Sequence, residues 1–348
     1  NATETRGVTA FDMDNDGDLD LYGVSGGTTP GVNEAYLNGL IGGTGVAFDF
    51  TSHADVALTT ANVKNGVTDT DYDNDGDIDI IAANTTGEFV FLENDGTGTG
   101  TFVQVFPSTL GINDPAGTGI TPADIDNDGD LDLLLTSQNL QSYLYRREPD
   151  GSVPLYVLQQ TFINGWMGSF ADLDIDGDLD LVFSEDFRSY INDGSGNFSF
   201  GQSLPVSSVV DARAIAFADI DSDGDLDFAV GGKGVQSDPD GRSVLIRNDI
   251  GTDAGNYLRV ELVSPTCQAG AFGARTRVYP AGQALTGTLL GMRESRGSHG
   301  YHAQNEPVLH FGLGSEASVD VVVDFLDGTQ TIVTGVAANQ RILVDECP

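Results

Sequence analysis

One nine-residue pattern, Asp-x-Asp-x-Asp-Gly-Asp-x-Asp, occurs five times in this chain, and any fold open to the sequence must seat all five copies. They read DMDNDGDLD from Asp12, DYDNDGDID from Asp71, DIDNDGDLD from Asp124, DLDIDGDLD from Asp172 and DIDSDGDLD from Asp219. Left alone, carboxylates spaced so closely repel one another in every copy. A hard divalent cation removes the conflict. Calcium takes six to eight oxygens at about 2.3–2.6 Å, and a tight loop can bring carboxylates at positions 1, 3 and 5 to one point. The glycine at position 6 permits a positive φ, which turns the carbonyl of position 7 inward, and the aspartate at position 9 closes the shell. The expected ligands are Asp12, Asp14, Asp16, Asp18 and Asp20; Asp71, Asp73, Asp75, Asp77 and Asp79; Asp124, Asp126, Asp128, Asp130 and Asp132; Asp172, Asp174, Asp176, Asp178 and Asp180; and Asp219, Asp221, Asp223, Asp225 and Asp227, with position 7 acting through its carbonyl. The expected cofactor is Ca²⁺, at about five sites.

The flanks decide what kind of calcium loop this is. An EF-hand needs a glutamate at position 12 and a helix on each side, whereas position 12 here is Gly23, Ala82, Leu135, Phe183 or Val230. After each glycine the chain reads DLDLYGV, DIDIIAA, DLDLLLT, DLDLVFS or DLDFAVG, with apolar residues on both sides of the last aspartate, which marks a strand. GVTAF, GSFA and AIAFA before the loops read the same way, so each loop closes a β-hairpin. Successive loops start 59, 53, 48 and 47 residues apart, the spacing of a blade-forming β repeat. A second hairpin recurs as FLENDGTGTGTF, YINDGSGNFSF and LIRNDIGTDAGNY, and more weakly as YLNGLIGGTGVAF and YRREPDGSVPLY. Each unit then has about four strands, the content of a propeller blade. The expected fold is all-β: a calcium-binding β-propeller of about five blades over residues 1–252, then a small β-sandwich over 253–348, where the loops stop, most arginines appear and strand alternation continues in NYLRVEL, ARTRVYP, VDVVVDF and QRILVDE.

Charge narrows the partners. With 53 Asp and Glu against 15 Lys and Arg, the formal charge of −38 argues against nucleic acid and against an anionic membrane surface. Five divalent ions would offset only part of it, which suits a salty or calcium-rich setting. No apolar run has the 18 or so residues of a membrane-spanning helix. The two cysteines, Cys267 and Cys347, are expected to pair, closing a loop of 80 residues worth roughly 4–5 kcal/mol in the chain-entropy model. A disulfide beside millimolar-type calcium sites points to a secreted or cell-surface protein.

The aspartate-rich hairpins resemble FG-GAP (VCBS-type) repeats, the calcium-loop blades of integrin α-subunit heads. The C-terminal residues NYLRVEL, AFGARTRVY (Ala271 to Tyr279), GYHAQ (Gly300 to Gln304), LHFGLG (Leu309 to Gly314) and VDVVVDFLDGTQ together resemble an ASPIC/UnbV domain. This arrangement is similar to the cartilage acidic protein family and its bacterial relatives. The resemblance implies a secreted, non-enzymatic calcium-binding propeller acting in adhesion or the extracellular matrix. The chain departs from the family at Phe325, Leu326 and Asp327, where that domain usually has a Trp-Pro pair before its glycine.

Other motifs carry less. GVSGG at Gly23 matches a nucleophile elbow but lacks the following helix, and GTGTGTF from Gly96 lacks the Lys-Ser/Thr of a phosphate loop. His299, His302 and His310, with Glu306 nearby, have the composition of a zinc site but are read as residues of the ASPIC-like motif. Trp166 is read as core packing, and Asn84 and Asn197 lie in glycosylation sequons. No catalytic constellation emerges, so the chain is not expected to be an enzyme. The expected role is binding or scaffolding, with an extracellular protein or glycan as partner; the alternative is a subunit that assembles with copies of itself into a fibre or surface layer.

Overall fold

The computed structural model describes residues 4–26, 33–39, 51–53, 64–113, 116–138, 140–148, 155–163, 165–185, 187–204, 211–233, 242–250, 254–263 and 271–345. Within them the protein is all-β. Apart from one short 3₁₀ turn, Pro107–Leu110, its elements are strands. Four consecutive four-stranded antiparallel sheets come first: β1 (Glu4–Phe11), β2 (Asp20–Gly26), β3 (Glu34–Leu37) and β4 (Thr51–His53); β5 (Lys64–Thr70), β6 (Asp79–Asn84), β7 (Val90–Asn94) and β8 (Phe102–Val105); β9 (Gly119–Ala123), β10 (Asp132–Thr136), β11 (Ser142–Arg147) and β12 (Tyr156–Phe162); β13 (Gly168–Ala171), β14 (Asp180–Phe183), β15 (Arg188–Asn192) and β16 (Phe198–Ser203). A fifth sheet has β17 (Ala212–Ala218), β18 (Asp227–Gly232) and β19 (Ser243–Ile246). Each is a simple meander, and every aspartate loop joins the first strand of its sheet to the second.

The second strands explain why these segments are apolar throughout instead of alternating. In β6 and β10 all residues are buried, because each sheet is covered on both faces. Ile80 packs toward the first sheet and Ile81 toward the third. Leu133 and Leu135 face the second sheet while Leu134 faces the fourth, and Leu181 and Val182 divide between the third and fifth. Five sheets are thus stacked face to face in sequence order, with β5 beside β1 and β9, and β13 beside β9 and β17. Strand pairing stays within each sheet, and no closed ring is established by it among the described residues. The fifth unit differs from expectation. Its second hairpin arm leaves the sheet as β20 (Asn256–Val263) and pairs elsewhere, so three strands remain there among the described residues.

The remaining strands form two sheets over one core. In one, β20 lies between β23 (Val308–Gly314) and β26 (Gln340–Asp345), the latter parallel to it; in the other the order is β22 (Gly291–Glu294), β21 (Arg275–Pro280), β24 (Ser318–Asp324) and β25 (Gln330–Ala337). Leu258, Phe311 and Val344 of the first meet Val278, Val321 and Val336 of the second. Cys267 and Cys347 lie outside the described residues.

A segment of this C-terminal unit, residues 294–306, runs across the first strands β1, β5, β9 and β17 and past Trp166, just ahead of β13. Thr70 Oγ1 donates to Glu294 (2.8 Å), Ser298 Oγ donates to the Val67 carbonyl (2.9 Å) and Gly297 N to Asp69 (2.8 Å). Gly297 lies so close to β1 that a Cβ there would sit 2.1 Å from the Ala10 carbonyl oxygen, and Gly300 is pressed likewise on Ile120 of β9. Tyr301 stacks on Trp166, just ahead of β13, and Asn305 accepts from Phe217 N of β17 (3.0 Å). The chain passes from the loop end to the far end and turns back through His299 N, which donates to the Ala303 carbonyl (3.1 Å).

Candidate metal centres

Local backbone geometry makes the five loops alike. Position 6 is a glycine with φ between 92° and 105° in all of them, and position 4, which is Asn15, Asn74, Asn127, Ile175 or Ser222, also adopts a positive φ of 56° to 66°. That pair of left-handed turns wraps the loop around its first aspartate. Asp12 accepts from Asp16 N (3.0 Å) and Gly17 N (2.8 Å), and Asp71 and Asp124 repeat both bonds.

Carboxylate oxygens then converge. Within 4.8 Å of one another lie those of Asp12, Asp14 and Asp20; of Asp71, Asp73 and Asp79; of Asp124, Asp126 and Asp132; and of Asp172, Asp174 and Asp176. Oδ1 atoms of Asp126, Asp172, Asp174 and Asp219 are buried with no hydrogen-bond partner among the described residues. A buried carboxylate oxygen left so costs several kcal/mol, and a cation coordinated there would remove the penalty. Donor type, number and spacing fit a hard divalent ion.

Position 9 has an additional duty. Both oxygens of Asp132 accept backbone N–H groups, from Ile125 (3.0 Å) in its own loop and from Arg147 (2.8 Å) in β11. Asp20, Asp79, Asp180 and Asp227 do the same toward Met13 and Asn38, Tyr72 and Asn94, Leu173 and Asn192, and Ile220 and Asn248. Position 7 has another. The side chain of Asp77 accepts from Asn15 (2.8 Å), that of Asp130 from Asn74 and that of Asp178 from Asn127 (2.9 Å), so the first four loops are chained by their position-4 asparagines. Those three side chains hold the neighbouring loop, in keeping with a ligand role for position 7 through its carbonyl alone.

Family models match FG-GAP-like repeats over residues 71–135 and 172–230, and ASPIC and UnbV over residues 265–347. The chain carries FG-GAP repeats followed by an ASPIC and UnbV domain. A comparison with curated proteins finds no match.

The FG-GAP loops are electrostatically loaded. Burial pushes Asp12, Asp16, Asp71 and Asp128 up to about 6, Asp73, Asp124 and Asp172 to about 7, and Asp20 and Asp180 to about 8. Asp79 and Asp132 rise well above the usual carboxylate range for the same reason. The ASPIC and UnbV part, with the strand that leads into it, supplies relief from behind. Arg275 lies 3.3 Å from Asp71, and Arg259 lies 2.8 Å from Asp219 while gripping both oxygens of Glu306. Arg293 holds Asp124 and Asp172 below where burial alone would put them.

Several of these residues escaped sequence reading. Glu93 of β7 gathers with Asp73 and Asp75. Asn94, Asn192 and Asn248, read as turn residues, use their Nδ2 atoms to donate to the position-2 carbonyls of the preceding loops, at Met13, Ile125 and Leu173. In YRREPDG the asparagine is replaced, and Arg147 reaches Tyr72 O (3.0 Å) in the same way. Their recurrence at one place in each hairpin was the available signal. The histidines do not form the weighed zinc set: His310 Nε2 bonds the Gly224 carbonyl at the loop end, and His302 stacks on Tyr301 at the other. Trp166 is buried, though against Tyr301 of the C-terminal part and not within a sheet core. Asn84 is buried, which disfavours its sequon; Asn197 is exposed.

Proposed function

We propose that this is a secreted, non-enzymatic binding or scaffolding protein in which about five Ca²⁺ ions order a five-bladed propeller bearing a β-sandwich. The observation that carries the reading is the convergence of three carboxylates in loop after loop, with buried oxygens left over. Bound calcium supplies two positive charges to carboxylates that burial would otherwise drive to hold protons. Asp12, Asp71, Asp124, Asp172 and Asp219 anchor each site and position 3 joins them; position 9 closes the cluster in the first three loops, where it also couples the site to the hairpin behind, and position 5 closes it in the fourth. The propeller reading is supported by cores alternating between sheet faces and by the segment that touches β1, β5, β9 and β17. Extracellular placement rests on the charge, on millimolar-type sites and on the cysteines. The described strands that lead to those cysteines end side by side at Val263 and Asp345.

With affinity near 10⁻⁴ M and calcium near 1 mM, each site contributes roughly 1.4 kcal/mol. Asp126→Ala with Asp128→Ala is expected to remove one ion of about five and roughly that much stability, read by counting bound calcium and by thermal melts with and without chelator. An unchanged count would sink the assignment.

Self-assembly into a fibre or surface layer is the second reading. Apolar residues exposed on outer strands favour it: Val103 of β8, Val157 and Leu158 of β12, Phe200 of β16 and Leu245 of β19. Large ordered species in calcium would select this reading, and a monomer the first.

A further inference from the structure

In the second, third and fourth sheets the last strand opens on an aromatic residue. Phe102, Tyr156 and Phe198 pair with Asn94, Arg147 and Asn192, the residues that end the third strands. Each ring is buried between its own sheet and the one before it. Phe102 shares a core with Met13, Ile80 and Leu92, Tyr156 with Tyr72, Leu133 and Tyr145, and Phe198 with Ile125, Leu181 and Tyr190. The three sets occupy equivalent places: position 2 of the preceding loop, the residue after position 9 of the sheet's own loop, and the third strand two residues before its last.

The fifth sheet has the same set in Leu173, Phe228 and Ile246, but no fourth-strand ring joins it among the described residues. Instead these side chains line a cavity of about 520 Å³, together with Ile191, Leu204 and Ile250. Leu173 and Ile246 are only half-buried, whereas their counterparts Met13, Tyr72, Ile125, Leu92 and Tyr145 are 2 % exposed or less. The aromatic residue of the fifth hairpin, LIRNDIGTDAGNY, is Tyr257. It leaves with β20 and stacks on His310 at 6.2 Å. β19 is thus paired with β18 on one side and with nothing on the other among the described residues.

We propose that this edge binds an extended peptide of a partner protein, led by an aromatic residue and flanked by basic ones, which adds a fourth strand to the fifth sheet. Backbone pairing along β19 supplies the attachment and the cavity the selectivity. In the register of β8, the ring lies opposite Asn248 and fills the cavity, while the fourth residue lies opposite Leu245, which is 58 % exposed. Charge decides the flanks. Arg247, the cation that lines the cavity, is held by Asp221 (3.3 Å) and Asp249, Asp174 lines the same space, and the whole chain carries −38. That field attracts a basic peptide and repels a second copy of the chain. The proposal rests on the binding-protein reading and deepens it by naming the partner's chemistry.

The calcium-loaded full chain is titrated with fluorescein-labelled KFVQVK, the β8 sequence Phe102–Val105 between lysines, and followed by anisotropy. Saturable binding is expected, about tenfold or more tighter than that of KAVQVK, which lacks the ring, and of EFVQVE, which reverses the flanks. N-acetylphenylalaninamide, the ring without a strand, competes only at concentrations about tenfold higher or more. Leu204→Trp, which fills the cavity, weakens binding about tenfold, and Ile246→Glu, which places a charge in it, does so at least as strongly. No saturation by KFVQVK, equal binding of either control peptide, equal competition by the bare ring or unchanged affinity in both variants would each overturn the proposal. So would a chain that is dimeric in calcium and made monomeric by Leu204→Trp, since the edge would then belong to a second copy. The calcium-dependent melt of Leu204→Trp stays as in the parent, so failure here is told apart from failure of the calcium reading.

Discussion

Aspartates that look equivalent in the sequence divide their work at the level of the single residue. Asp126 at position 3 has a buried oxygen without a hydrogen-bond partner among the described residues, whereas Asp132 at position 9 has both oxygens engaged by backbone N–H groups. Asp132→Asn puts an amide donor against one of those N–H groups. It is expected to cost about 1–3 kcal/mol even in chelator, since the loss is architectural. Asp126→Ala is expected to lower only the calcium-dependent part of stability. Melts of both variants with and without calcium test the division, and an Asp132→Asn that behaves like parent in chelator would refute it.

Among elements, the segment 294–306 is where the two parts of the chain become one structure. Its contacts with β1, β5, β9 and β17 are polar and close, and two of its glycines are there because the neighbouring backbone leaves no room. Gly297→Val would drive its side chain into the Ala10 carbonyl. The expected result is a loss of about 2–4 kcal/mol, in the range of severe overpacking, with the calcium count preserved. Proteolysis between the two parts, faster in the variant than in the parent, would mark the segment as displaced; equal stability and equal protection would show that the fit is looser than the geometry requires.

At the scale of the whole molecule, pH and calcium oppose one another. An unfolded aspartate titrates near 4, while nine loop aspartates in the folded chain are pushed up to between about 6 and about 8. Between those values the folded state binds more protons than the unfolded one, so calcium-free stability rises as pH falls from 8 toward 5. His299 and His310, pushed by burial to about 3 and about 4, and His302, also lowered by burial, act in the other direction below about 6.5, but they are three against nine. The chelated protein is expected to melt higher at pH 5.5 than at pH 8, and the rise caused by millimolar calcium to be larger at pH 8. Scanning calorimetry at the two pH values checks both; a chelated protein that melts lower at pH 5.5 would contradict the burial of the loops.

The sequence by itself determined the strands, the hairpins, the loop positions and the oxygen-rich chemistry, because each is written in residues two to nine apart whose preferences are local. Alternating aspartates, a glycine at position 6 and apolar strands on either side leave little else for these segments to do. Only the tertiary structure decided what depends on neighbours far along the chain. It engaged both oxygens of position 9, set Arg147 to do the work of an asparagine, took β20 out of the fifth sheet and brought Arg259, Arg275 and Arg293 behind the loops. It also placed Trp166 against Tyr301, 135 residues away. These pairings rest on burial and charge balance across sheets, and those quantities exist only once the sheets have stacked.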